Sequence, residues 1–179
     1  MIFEPFAAFA ASEFQIKFAT DPWEKQAAAA LRHQVFCQEQ GLFGGEDRDA
    51  IDHQATALVA VSLVGVGADE VLGTVRIHEA EPGVWWGSRL AVAADYRRVG
   101  ALGAGLIRLA VSSAHARGCQ TFLANVQSQN ALLFRRLHWD TLCQCDIHGK
   151  PHHHMQADLA FYPPFSAPEA GFQTLRKAA

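Results

Sequence analysis

The sequence has no excess of basic residues, few cysteines and no long hydrophobic run. Its formal charge of −3 at pH 7 argues against a nucleic-acid partner, because such binding rests on many Lys and Arg contacts to phosphates. No uninterrupted apolar stretch reaches the ~20 residues that cross a bilayer, so we expect no membrane partner. The four cysteines are scattered and too few for a disulfide-dense secreted scaffold. These absences favour a cytoplasmic location.

The sequence does contain enough apolar material for one domain. Half of its 179 residues are hydrophobic and 18% are charged, which argues against disorder, and the length is that of a single domain. We assign this domain to residues 15–162. Residues 1–14 are interrupted by acidic residues and a proline, unlike a signal peptide, so we expect a leader or docking arm. Residues 163–179 are expected to form a peripheral tail.

Hydrophobic periodicity predicts a mixed α/β order of elements. Asp21 and Pro22 are typical of a helix start, and Gly41 of a helix end. Short connections containing Gly, Pro and Asp between the next three strands favour an antiparallel meander. The predicted order is helix 23–39, strands 57–64, 71–78 and 84–92, helix 101–117, strand 121–126, helix 128–137, and strands 141–147 and 154–161.

The most informative segment, residues 90–107, joins a strand to a helix through a basic turn. The first turn of a helix has N–H groups without internal partners, and the helix dipole adds positive potential there. Gly100 and Gly103 allow close approach of a phosphate, while Arg97 and Arg98 supply charge. The pattern predicts an anion site, although from the glycines alone an ordinary strand-to-helix connection is an equally good interpretation.

This segment resembles the signature of the GNAT superfamily of acyltransferases, a Leu-x-Val strand, a short Asp-Tyr segment, and Arg/Gln-x-x-Gly-x-Gly/Ala opening a helix. The residues that match in register are Leu90, Val92, Asp95, Tyr96, Arg97 and Gly100. Leu102 departs from the pattern by replacing the last Gly or Ala, and Gly103 follows one residue late. A register that begins at Arg98 would recover Gly103 but lose Gly100.

The resemblance extends over residues 15–162. Arg32-His-Gln-Val-Phe-Cys-Gln-Glu-Gln-Gly, followed by Asp49 and Asp52, is similar to a segment of one GNAT branch. Pro151-His-His-His-Met is similar to a late segment of the same branch. The combined pattern also resembles N-acetyltransferases that accompany nitrilases in bacterial gene clusters tied to nitrogen starvation.

The resemblance implies a fold, a co-substrate and a reaction. The fold would be a central, splayed, mostly antiparallel sheet of about six to seven strands flanked by helices. Acetyl-CoA or another acyl-CoA would be the co-substrate, with no metal, and its acyl group would pass directly to the amine of a small metabolite. The residues implied to bind the co-substrate are Leu90, Ala91, Val92, Arg97, Arg98, Val99, Gly100, Ala101, Leu102, Gly103, Asn130 and Phe134.

The resemblance also implies roles in catalysis. The amine must lose a proton before it attacks, and Glu39 is the first candidate for the general base; its alternative role is a solvated acid at a helix end. Glu79 and Glu81 are the alternative bases, although their place beside Pro82 favours turn residues. Ser88 is a second catalytic candidate, and Arg76 and His154 are expected to face the acceptor. Phe134 stands where the family's usual tyrosine would protonate the leaving thiolate, which it cannot do.

Two other functions remain open at this point. The lack of that tyrosine motivates a non-catalytic acyl-CoA sensor. A run of Cys and His residues motivates a metal-dependent hydrolase, although its spacing differs from that of structural zinc sites; the run comprises Cys143, Cys145, His148, His152, His153 and His154. The Trp85-Trp86 pair leaves a homodimer open, because alternation places one of the two rings outside the core.

Overall fold

The computed structural model of the chain describes residues 11–65 and 67–175, so most of the predicted leader and the end of the predicted tail lie outside the described residues. The strands are β1 (Glu13–Phe18), β2 (Thr56–Val64), β3 (Gly67–Glu81), β4 (Val84–Val92), β5 (Thr121–Gln127), β6 (Trp139–Ile147), β7 (Lys150–Ala157) and β8 (Phe172–Leu175). The α-helices are α1 (Pro22–His33), α2 (Gly100–Ala116) and α3 (Ala131–Arg136). Short helical turns join these elements, and a π-helix over Gln34–Glu39 extends α1.

Within the described residues the strands form one eight-stranded sheet in the order β6-β7-β5-β4-β3-β2-β1-β8. The described neighbours pair antiparallel except β4 and β5, which are parallel. The predicted mixed fold with a mostly antiparallel sheet is therefore confirmed. The strand number exceeds the expected six to seven because β1 and β8 were not foreseen; β1 begins inside the segment assigned as leader, and β8 lies inside the segment assigned as tail.

Both faces of the sheet are covered, which explains the continuous apolar run of β2. Leu58 and Ala60 point to the core beneath α2, whereas Val59 and Val61 point to the core beneath α1. All four are completely buried. A strand that is covered on both faces has no polar side to alternate with its apolar one.

The sheet parts between β4 and β5. Their parallel pairing covers only Val84–Gly87 of β4. Just beyond, Thr74 pairs with Ala91 and Arg76 with Ser88, so two residues of β4 lie opposite one of β3. Such a bulge bends its strand, and Arg89 within it has a φ of 57°. The predicted splay is confirmed, and the gap that it opens lies between two inner strands of the described sheet.

The described helices include none that is long and apolar enough to cross a membrane.

Candidate functional site

A cavity of about 230 Å³ lies in the gap between β4 and β5. One end is lined by Leu90, by Val126 at the end of β5, and by Phe134 of α3. The other end lies on the opposite face of the sheet, between the loop after α1 and the turn that joins β6 to β7. Phe43 and His148 meet there with their rings 4.9 Å apart. The cavity is therefore an elongated cleft through the sheet, mostly apolar, with two distinct ends.

The predicted anion turn lies beside the first of these ends. Helix α2 begins at Gly100, and its N-cap residue Val99 offers no side-chain hydrogen bond within the described chain. A Cβ added to Gly100 would meet no atom within 4 Å, whereas one added to Gly103 would meet Leu133 Cδ2 at 3.8 Å. Leu102 is completely buried in the core. Leu102, which departs from the family pattern, is thus a core residue on the inner face of α2. It leaves the space in front of Gly100 open.

The other predicted co-substrate residues surround this turn or the cleft. Ala91 and Val99 are buried, and the exposed Asn130 lines the cleft. Arg98 is exposed beside the turn and Ala101 lies in the first turn of α2.

Arg97 and Glu39, which were predicted for different roles, contact each other. Arg97 Nε donates a hydrogen bond to the Val92 carbonyl at 3.0 Å, and its Nη2 forms an ion pair with the Glu39 carboxylate. The π-turn positions Glu39 for this contact, because the N–H of Gln40 bonds to the carbonyl of Val35 five residues earlier. π-turns are frequent at functional sites. Glu39 therefore lies at the anion turn rather than in the wall of the cleft.

Six charged side chains form a partly buried group beneath the second end of the cleft; three of them are buried, and Asp49 is exposed. We call it the arginine–aspartate cluster; it comprises Arg32, Arg76, Arg89, Asp47, Asp49 and Asp52. Asp49 and Asp52 were singled out in the sequence, but their ion pairs with these arginines were not predicted. Their loop folds this way because Asp49 caps the short helical turn over Ala50–His53, accepting a hydrogen bond from Ile51 N–H at 3.0 Å.

Arg76, predicted to face the acceptor, is held inside this cluster. Its side chain is 3% exposed, with Nη1 at 2.7 Å from Asp49 and 2.8 Å from Asp52. Its Nε donates to Ser88 Oγ at 2.9 Å, so Ser88, which lines the cleft, is oriented by the cluster. Burial alone would raise the pKa of Asp52, but hydrogen bonds from Arg32, from the Asp49 backbone and from Arg76 outweigh it and lower that pKa.

The structure places His152, rather than His154, in the wall of the cleft. The ring of His154 lies 5.3 Å from that of Trp86, and its Nδ1 is 2.9 Å from Asn125 Oδ1. His152 Nδ1 is 2.8 Å from the carbonyl oxygen of Lys150, which can only accept. Nδ1 of His152 therefore carries the proton, and in the neutral ring Nε2 keeps its lone pair. The sequence pointed to this histidine only as one of a run.

The cysteines of that run lie elsewhere. Cys143 and Cys145 are exposed on β6, one of the two edge strands of the described sheet. Within residues 11–65 and 67–175 no group of three or more His, Cys, Asp or Glu side chains is arranged to hold a metal ion.

Phe134 lies between the cleft and the core. It is 6% exposed and packs edge-on against Trp139, with 5.1 Å between ring centroids. Its ring can close the wall of the cleft but cannot transfer a proton.

The fold recurs in known proteins. The model of the acetyltransferase (GNAT) family matches residues 13–138, and no curated protein matches the chain significantly. A Lactobacillus plantarum protein with a provisional N-acetyltransferase description has a TM-score of 0.71 at 23% identity, covering 80% of this chain and 97% of its own. Escherichia coli ElaA has a TM-score of 0.68 at 17% identity, covering 81% and 98%. An aminoglycoside 6′-N-acetyltransferase complexed with coenzyme A has a TM-score of 0.62 at 14% identity, covering 79% and 94%. At these identities the likeness concerns the fold.

Proposed function

This chain belongs to the acetyltransferase (GNAT) family, and we propose that it is an acyl-CoA-dependent N-acyltransferase that passes an acyl group, with acetyl the expected one, directly to the amine of a small metabolite. The observation that carries this proposal is the cleft between β4 and β5. The N-terminus of α2, which has no side-chain cap, lies beside one end of this cleft, and side chains that include Phe43, Arg89 and His148 line the other end. Such a cleft suits two ligands that meet inside the sheet.

The diphosphate of the co-substrate would bind at the first turn of α2. Gly100 leaves open space in front of the free backbone N–H groups, and an anion there gains from the helix dipole. Arg97 lies within reach of the same turn and would exchange the Glu39 carboxylate for a phosphate, with which a guanidinium forms strong paired hydrogen bonds. Arg98 would add charge.

The pantetheine arm would run along Leu90–Val92. Past Gly87 the edge of β4 that faces β5 has no paired strand in the described sheet, so its backbone groups are available to an extended ligand, as in β-strand addition. Phe134 and Asn130 would close the other side of the arm.

Transfer would then proceed without a covalent enzyme intermediate. A backbone N–H near the β4 bulge would stabilise the oxyanion that develops on the thioester. His152 Nε2 would take the proton of the attacking amine, the C–N bond would form, and the C–S bond would break. The thiolate leaves unprotonated or takes its proton from water, because Phe134 cannot supply one and a thiolate is a tolerable leaving group near neutral pH.

An alternative function is a sensor that binds acyl-CoA without transferring it. Two observations favour it, the phenylalanine at position 134 and the ion pair that engages Glu39. The metal-dependent hydrolase and the nitrilase-linked branch stay predictions, and metal content of the untagged protein tests the former.

Calorimetry with acetyl-CoA and CoA, followed by assays of thiol release against a panel of amines, tests the proposal. We expect both nucleotides to bind and thiol to appear only in the presence of an acceptor. Binding without thiol release for any amine would favour the sensor. Absence of binding would refute both functions.

A further inference from the structure

Arg89 is the least neutralised member of the arginine–aspartate cluster. Arg32 lies 2.7 Å from Asp47 and 2.6 Å from Asp52, distances typical of tight ion pairs. The atoms of Arg89 are 3.3 Å from Asp47 Oδ2 and 3.2 Å from Asp49 Oδ2. These carboxylates are already engaged by shorter contacts to the other two arginines.

The guanidinium of Arg89 also has an unused donor. Its Nε and Nη2 donate to the Asp47 carbonyl or to Asp49, while Nη1 has no hydrogen-bonding partner among the described residues. The side chain is 18% exposed, lines the cleft, and its guanidinium carbon lies 4.4 Å from the centre of the Phe43 ring. Burial, followed by repulsion from Arg76, lowers the pKa of Arg89, as expected for a cation that lacks full compensation.

The backbone holds this cation at the cleft at an energetic cost. Arg89 has a φ of 57° inside the β4 bulge, a conformation that is uncommon for residues other than glycine and that often marks ligand sites.

The charge of the wall restricts which acceptors fit. Among the described residues, Arg89 is the one Lys or Arg that lines the cleft, and no Asp or Glu lines it. A polyamine or an aminosugar would bring additional positive charges to a wall without a carboxylate. An amine that also carries a carboxylate would instead find a partly desolvated guanidinium with a free N–H. Beside it, Phe36, Phe43 and Trp86 offer an apolar surface to a side chain.

Building on the proposed function, we propose that Arg89 binds a carboxylate of the acceptor, and that the acceptor is an amino acid, or a similar compound, with an apolar side chain. Arg89 then determines specificity without taking part in the proton transfer.

Matched pairs that differ only in the carboxylate test this inference. L-phenylalanine with 2-phenylethylamine and L-leucine with 3-methylbutylamine serve as acceptors, and their N-acetyl products serve as ligands for calorimetry in the presence of CoA. For at least one pair we expect the carboxylate member to be favoured roughly 10- to 100-fold, both in kcat/KM and in product affinity, the usual effect of a charged hydrogen bond.

Arg89→Gln should abolish that preference, mainly by weakening the carboxylate member, while leaving CoA affinity unchanged. Arg89→Lys should keep part of it, because the charge remains but the planar fork is lost. Arg108→Gln, at an exposed position of α2, is the control and should behave like the wild type. The inference is overturned if both members of every pair have the same kcat/KM and the same product affinity. It is also overturned if the preference for the carboxylate member survives in Arg89→Gln. Loss of CoA binding in the wild type would instead refute the proposed function, so the two failures are distinguishable.

Discussion

Replacing Gly100 by glutamate separates folding from co-substrate binding. An added Cβ at Gly100 meets no atom within 4 Å, so the free protein has room for the new side chain. Gly100 is the first residue of α2, where a carboxylate interacts favourably with the helix dipole by about 0.3–1 kcal/mol. The variant should therefore be as stable as the wild type or slightly more stable.

The same carboxylate should repel a diphosphate. At about 5 Å, two unit charges interact with roughly 1–3 kcal/mol for effective dielectric constants between 80 and 20. One such repulsion lowers CoA affinity by roughly 5- to 150-fold. The loss should shrink as salt is added, because the screening length falls from about 10 Å at 0.1 M to about 3 Å at 1 M.

Gly67→Glu supplies a matched control, because Gly67 also has open space and is exposed at the start of β3. Calorimetry with CoA at two salt concentrations measures the affinity, and thermal unfolding measures the stability. Equal affinities for wild type, Gly100→Glu and Gly67→Glu would show that the diphosphate binds elsewhere. An affinity loss accompanied by a lower Tm would mean that the steric argument is wrong.

Four further variants test single residues. His152→Gln should lower kcat roughly 100-fold or more, as expected for loss of a positioned base. Glu39→Gln should keep kcat within about threefold. Because it frees Arg97 from an ion pair, it should tighten CoA binding by up to about fivefold, the range of an exposed ion pair. Asp52→Asn should lower the free energy of unfolding at pH 7 by about 3 kcal/mol, since two buried guanidinium groups lose a shared carboxylate; the exposed Asp69→Asn is its control. Because folding lowers the pKa of Asp52, this contribution is fully present above the unfolded value of about 3.9, and the deficit measured in urea should shrink as the pH falls below it. Phe134→Tyr should add a falling limb at high pH to a kcat/KM profile that in the wild type only rises.

The opposite outcomes are equally specific. A loss of kcat in Glu39→Gln as large as that in His152→Gln would assign the base to Glu39. A stability deficit of Asp52→Asn that does not change with pH would show that the carboxylate charge is not what stabilises the cluster. A wild-type profile that already falls at high pH would indicate a proton donor other than position 134.

The parts of the fold that could be predicted from the sequence are those with long local patterns. Helix α2 was expected over 101–117 and runs over Gly100–Ala116, because its leucines recur at helical spacing over many turns. Strands β2 to β4 were found for a similar reason. Strand β8 has only four residues and pairs with β1 at the far end of the chain, so no local signal of comparable length marks it.

The candidate site was predicted less well, because its contacts join distant segments. Glu39 and Arg97 are 58 positions apart, and each matched a family motif separately. Their roles were predicted one by one, and only the fold shows that they are partners. Likewise the acids of the loop after α1 were noticed, but the strands that supply Arg76 and Arg89 are too remote for spacing to reveal the pairing.

The bulge in β4 lies between the proposed binding sites of the co-substrate and the acceptor. It lies where pairing with β5 has ended, and so it lies where the co-substrate and the acceptor would meet. The same bulge holds Arg89 at a positive φ, where three carboxylates of the cluster are already shared with two other arginines. If β4 paired regularly with β3, the strand would not bend away from β5 and the cleft would close. Arg89 would then also lose the positive φ that holds its guanidinium at the cleft. Opening of the co-substrate groove and recognition of the acceptor's carboxylate are therefore expected to depend on one another, and a variant that restores regular pairing of β4 with β3 should lose both.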